Sequence, residues 1–166
     1  MALDLSNLSP QDAIAALRSY PRRYGSALEP IKDDDNVEAI VTRPGPDGVS
    51  ALDIAADTAR RLDLMTAALD RIELADNPDV PPAAADATAP LDRASGATGL
   101  ANVLQQLGSA AAGLADRATK VAARDWNRTG TAGGRSVTAF DVLLEGVRVG
   151  ADNLHRVEET IRAVGH

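Results

Sequence analysis

Cysteine is absent from the chain, which removes disulfides, thiolate zinc sites and thiol nucleophiles. Aromatic residues are nearly absent too, at 2%: Tyr20, Tyr24, Trp126 and Phe140. All-β sandwiches and barrels lean on aromatic and β-branched side chains, so this scarcity argues against them. Lys32 and Lys120 are the only lysines, and with many alanines the composition is that of a GC-rich, actinobacterial-like genome. No window approaches the run of about 20 apolar residues that a membrane helix needs. Met1-Ala2-Leu3-Asp4-Leu5 has neither the basic start nor the apolar core of a secretion signal, so a cytoplasmic location is expected. Positive charge is also in deficit: the formal net charge is -7 and the pI about 4.7. A nucleic-acid binder needs a basic face, and the best local patch, Arg18, Arg22 and Arg23, is short and flanked by apolar residues. Nucleic acid and anionic membrane surfaces are therefore disfavoured as partners.

What remains is ordinary globular material. Hydrophobic residues make up 45% and charged residues 25%, so 1–166 reads as one domain with a core of its own. Four amphipathic segments stand out. The first runs from about Ser9 to Ile31, with Ser9 as N-cap, Pro10 at the first helical position and Asp12 at the positive end of the dipole. Its apolar positions are Ile14, Leu17, Tyr20 or Pro21, Tyr24 and Leu28, and Pro21 predicts a kink. Residues 32–48 read as a loop, dense in Pro and Gly over its second half. The second helix begins near Ser50, where Ser50 and Asp53 have capping-box spacing. Leu52, Ala55, Ala59, Leu62, Thr66, Leu69 and Ile72 form its stripe, with Arg60, Arg61, Asp63 and Asp70 outside it. A long polar connection over 76–97 follows, from Asn77-Pro78 to Ser95-Gly96, as a loop or crossover. The third helix, about Thr98 to Arg124, buries Leu100, Val103 or Leu104, Leu107, Ala111, Leu114, Ala118 and Val121. A turn through Trp126-Asn127-Arg128-Thr129-Gly130 and Gly133-Gly134 leads to the fourth helix. Thr138 and Asp141 cap that helix, and Phe140, Leu144, Val147, Ala151, Leu154, Glu158 and Ile161 lie along its stripe, with Leu143 and Val157 beside it.

The two halves repeat. Arg43-x-Gly45-x-x-Gly48 leads into Ser50-Ala51-Leu52-Asp53-Ile54, and Arg128-x-Gly130-x-x-Gly133 leads into Thr138-Ala139-Phe140-Asp141-Val142. A tight turn and a satisfied helix start account for these glycines without a phosphate-binding loop, since no strand is read before them. The fold expected is an all-α four-helix bundle with a long connection between the second and third helices.

The order of these features resembles the DinB/YfiT-like superfamily, including the N-terminal domain of mycothiol-dependent maleylpyruvate isomerases. It runs helix with internal proline, Pro/Gly turn, capped helix, long connection, helix ending in Trp126-Asn127-Arg128, Gly turn, capped final helix. The resemblance covers nearly the whole chain. It implies one divalent metal (zinc, nickel or iron) held between helices, which in some members activates a low-molecular-weight thiol for transfer or isomerisation. The implied ligands are a His about eight residues into the second helix, and a His pair, or Glu and His, four apart on the last helix. The first of these falls on Asp57. The Glu-x-x-x-His version falls on Glu145 and Val149, with its following acid at Asp152. A register that uses His155 puts Ala151 at its partner position. In either register at least one last-helix ligand is aliphatic.

A catalytic metal site needs about three protein ligands and an open position. Glu145 and His155 are about 15 Å apart along a helix and cannot share one ion, and Asp152 is about 10 Å from Glu145. Asp57 reads either as a ligand remnant or as a solvated surface acid, and Glu145 likewise, with Arg148 three residues on as its salt-bridge partner. His155, beside the core stripe, reads first as a hydrogen-bonded structural residue, with a proton-transfer pair with Asp152 as the alternative. His166 is the last residue and reads as a loose end. Trp126 reads as a packing anchor, with ligand stacking as the alternative. Arg43 and Arg128 read as ties between loops and helix ends, or as contacts for an anionic substrate. Three functions fit. The leading one is a diverged bundle without the usual metal, binding a small molecule or partner between its helices. The second is a metal- and thiol-dependent transferase or isomerase with altered ligands. The third is a non-catalytic homodimeric interaction protein.

Overall fold

The computed structural model describes residues 4–89, 91 and 99–165. Met1 to Leu3, the expected start of the third helix at Thr98, the Ser95-Gly96 end of the connection and His166 lie outside the described residues.

Four long helices carry the structure: α1 (Pro10–Ala27), α3 (Ala51–Leu74), α4 (Leu100–Thr119) and α5 (Ala139–Val164). Local chemistry sets three of their starts. Ser9 and Thr138 each form a reciprocal capping box, with Asp12 and Asp141, while Ser50 accepts from the Asp53 amide. At the start of α4, where Gly99 has no capping side chain, the Glu38 carboxylate accepts from the Leu100 amide. α1 continues through Pro21 but ends at Ala27, short of the expected Ile31, where Glu29–Ile31 tightens into a 3-10 turn around Pro30. Residues 32–48 are not all loop: Val37–Thr42 forms a short helix, α2, that buries Ile40 and Val41. α4 stops at Thr119, earlier than Arg124, and Ala123–Asn127 forms a 3-10 turn that places Trp126 in the core.

Helices α1 and α3 each pack against both α4 and α5, so α1 lies diagonally across from α3. Tyr20 and Tyr24 donate to the carbonyls of Val147 and Gly150, so α1 and α5 advance in the same direction. Arg117, near the end of α4, pairs with Asp70 and Glu73, near the end of α3, so those two also run together. A chain leaving α3 must therefore travel back along the bundle before α4 begins. Its described part starts with β1 (Asp79–Val80), turns through Pro82–Ala84 and reaches Ala87 and Ala89 beside α3 and α5.

A small sheet closes one end of this predominantly helical fold. β1 pairs in parallel with β2 (Thr129–Ala132), which pairs antiparallel with β3 (Arg135–Thr138). Gly133 and Gly134, at φ 57° and 81°, make the two-residue turn between β2 and β3. The stretch from Thr129 to Thr138 is thus a hairpin rather than an irregular turn.

The buried stripe of α3 follows the expected positions except that Thr66 is half-buried and Thr58 and Arg61 are buried as well, but that of α5 is rotated. Glu158 is exposed, while Leu143 and Val157 are fully buried together with Gly146, Gly150, Asn153 and Thr160. The cause is the close approach of α1 to the glycine side of α5. A Cβ at Gly150 would clash with one edge of the Tyr20 ring.

Candidate functional site

The repeated turns do the same job reciprocally. Arg43, just before α3, donates to the Val164 carbonyl at the end of α5 at 3.2 Å. Arg128, just before α5, donates to the carbonyls of Ile72 and Ala75 at the end of α3 at 3.0 and 3.1 Å. Each guanidinium satisfies orphan carbonyls of the antiparallel neighbour and complements its negative pole. The matching glycines pack the same way: Gly45 lies against Thr160 and Gly130 against Ile72, where a Cβ would come to 2.9 and 3.1 Å. The sequence repeat is thus a structural pseudo-symmetry. Arg128 also borders an open polar groove of about 400 Å³ with Ala75, Asp76, Asn77, Asn127 and Thr129. Trp126 is buried and meets Phe140 edge-on, with ring centroids 6.1 Å apart, as a packing anchor does.

The pseudo-symmetry puts Asp57 on α3 and Glu145 on α5 at equivalent distances from their caps, seven residues after Ser50 and Thr138. Both are half-buried and both are occupied. The Asp57 carboxylate accepts from Arg61 Nε at 2.8 Å and pairs with Arg60 at 3.5 Å. Glu145 accepts the Ala87 amide at 3.0 Å and pairs with Arg148 at 3.6 Å. Arg61 is the residue that the periodicity misplaced. Expected outside the stripe, it is only 7% exposed. Its Nη2 donates to the Ala89 carbonyl at 3.0 Å, so Arg61 and Glu145 both engage the returning segment 87–89, and Asp57 adjoins it through Arg61.

The other candidates lie elsewhere. Val149 is 1% exposed and supplies no donor atom, and Ala151 is half-buried. Asp152 is exposed. His155 is exposed and faces Glu159 at 3.1 Å and Glu158 at 4.0 Å, so its acidic neighbours follow it along α5 and the expected pairing with Asp152 is not the one formed. Arg18 is taken by Asp116 at 2.9 Å, and Arg23 lies over the Tyr20 ring, which breaks up the candidate basic patch.

A divalent ion at the position implied by the resemblance would need three convergent donors. The residues present do not fit it. Asp57 is engaged by two guanidinium groups, Glu145 is engaged by an amide and a third guanidinium, and the remaining position is Val149. Among the described residues no three His, Asp or Glu side chains stand together as a metal cage. Breaking the Asp57–Arg61 pair would strand a buried cation. Asp57→Ala is therefore expected to cost about 2 kcal/mol, less than for a fully buried pair because Asp57 keeps some contact with water. Urea unfolding followed by circular dichroism measures it.

Deeper between the helices, a polar chain that sequence periodicity also missed joins α1, α3 and α5. Asn153 donates to the Thr58 hydroxyl at 2.8 Å, Thr58 donates to the Ile54 carbonyl, and Tyr24 donates to the Gly150 carbonyl. Burial pushes the Tyr20 phenol up to about 12, and burial also raises that of Tyr24. These hydroxyls are held as neutral donors, which suits a structural role rather than proton transfer.

No protein-family profile and no curated protein sequence matches the chain. A solved structure does: YfiT from Bacillus subtilis, described as a probable metal-dependent hydrolase with an unusual four-helix bundle topology. The two superpose with a TM-score of 0.75 at 13% identity, over 99% of this chain and 93% of YfiT. Among the described residues no helix is long and apolar enough to cross a membrane. Diagonal α1 and α3 and parallel α3 and α4 thus belong to a four-helix-bundle fold like that of YfiT.

Proposed function

We propose that this protein is a diverged DinB/YfiT-like bundle that works without the usual divalent metal centre and binds a small molecule between α3 and α5. The observation that carries the reading is the buried Arg61 guanidinium on Asp57, where a second-helix metal ligand is implied. A cation built into the chain already neutralises that carboxylate, and an aliphatic Val149 stands at the third ligand position. The returning segment 87–89, latched to Arg61 and Glu145, covers the same place. A cytoplasmic location belongs to this reading.

A second reading keeps the metal. The likeness to YfiT over nearly the whole chain favours a metal-dependent hydrolase, or a transferase or isomerase acting on a low-molecular-weight thiol such as mycothiol. Elemental analysis of protein purified without chelator separates the two. Zinc, nickel and iron far below one equivalent are expected. One equivalent of any of them, removed by Asp57→Ala, would overturn the metal-free reading.

A further inference from the structure

We infer that Arg61 is the recognition residue for a small organic carboxylate. The inference rests on the metal-free reading above and names the ligand class for that site.

Three features carry it. The first is an unfinished guanidinium. Arg61 Nε is spent on Asp57 and Nη2 on the Ala89 carbonyl, while Nη1 is buried and meets no acceptor among the described residues. A buried N–H without a partner costs free energy that an arriving acceptor returns, and more so when the acceptor is ionised.

The second is incomplete charge compensation. The Arg61 side chain is 8% exposed, while its carboxylate partner Asp57 is 30% exposed and shared with Arg60. Water screens the anion more than it screens the cation. Asp86, whose carboxylate also feels the Arg61 charge, is exposed and is drawn to Arg135 as well. A guanidinium so placed favours a carboxylate over a neutral carbonyl, because the charged acceptor meets an under-compensated cation in a poorly hydrated place.

The third is the cover. The segment that meets Arg61 carries short side chains, Asp86, Ala87, Thr88 and Ala89, and among its hydrogen bonds to the bundle are the Arg61–Ala89 and Glu145–Ala87 pairs. A carboxylate that bonds Nη1 can also compete for Nη2 by displacing the Ala89 carbonyl, which would complete the two-pronged pairing that a guanidinium makes best.

Calorimetric titration of the wild-type protein tests this with acetate and benzoate against their neutral isosteres acetamide and benzamide. Saturable one-to-one binding is expected for at least one carboxylate, with its amide about tenfold or more weaker. The Arg61 side-chain N–H signals should move in nitrogen–proton spectra as that carboxylate is added. Arg61→Lys keeps a cation on Asp57 but loses the fork, so it should stay folded and bind about tenfold or more weakly. Equal binding of acid and amide, undiminished binding by Arg61→Lys, or no binding of either acid would each overturn the inference. In the last case, water completes Nη1. Metal content of the same preparation keeps the two failures apart. A metal-poor protein that ignores both acids sinks only the carboxylate assignment, whereas an equivalent of zinc, nickel or iron sinks the reading beneath it.

Discussion

Gly150→Ala is expected to destabilise the protein by about 3 kcal/mol, although alanine is the better helix former by about 1 kcal/mol. The Tyr20 ring occupies the space: a Cβ at position 150 would sit 2.6 Å from the ring Cζ and 2.8 Å from Cδ2. The ring cannot swing aside cheaply. Its hydroxyl donates to the Val147 carbonyl, its edge meets Tyr24 with centroids 6.2 Å apart, and Tyr24 is itself tied to the Gly150 carbonyl at 2.7 Å. Accommodating one methyl would part α1 from α5. Thermal unfolding should show a midpoint lower by about 5–10 °C. The same substitution in a Tyr20→Ala background should change sign, because the obstacle is gone and only helix propensity remains. A cost that persisted in that background would mean that the ring is not what forbids a side chain. Gly146→Ala should be milder, because the atom in the way is the end of the flexible Leu114 side chain.

The second large effect is alkaline. Tyr20 ionises near pH 10 in the unfolded chain, but burial moves its folded value to about 12. Between those values the unfolded state holds fewer protons than the folded state, so stability falls as pH rises. The contribution is intact below pH 10 and lost on the way to pH 12, about 3 kcal/mol for Tyr20 alone, with the buried Tyr24 adding to it in the same direction. Denaturation midpoints measured from pH 8 to 12 should hold steady and then drop. Tyr20→Phe should flatten that drop while costing about 1 kcal/mol at neutral pH for the lost bond to Val147. A profile with no break above pH 10, or one that Tyr20→Phe leaves unchanged, would contradict a buried neutral phenol.

Features that depend on neighbours in the chain were readable. Ser9, Ser50 and Thr138 were identifiable as caps because a hydroxyl three residues before an acid satisfies amides of its own first turn. The α3 stripe was readable for the same reason, and so was the role of Arg43 and Arg128 as ties. Their reciprocity was not, since it needs α3 and α5 to be antiparallel. The hairpin at 129–138 was missed although Gly133-Gly134 between two short segments is a hairpin signal. Val37–Thr42 is too short for periodicity to detect.

The candidate positions were readable in the sequence, but not what holds them. The acid at 57 and the aliphatic side chain at 149 are visible in the letters, but the guanidinium that meets Asp57 is not. Arginine ordinarily faces water, so Arg61 was placed outside the core. It is buried because its long stem runs inward to Asp57 and its fork finds the Ala89 carbonyl, 28 residues away.

The sequence by itself determined four amphipathic helices, their caps and a two-fold repeat, because each depends on spacing within a few turns of chain. The tertiary structure decided which helices are diagonal, that α1 presses so closely on Gly150 that the α5 stripe rotates, and that a returning segment meets Arg61 and Glu145. Those outcomes depend on atoms far apart in the chain competing for the same few ångströms, and no local pattern records the winner.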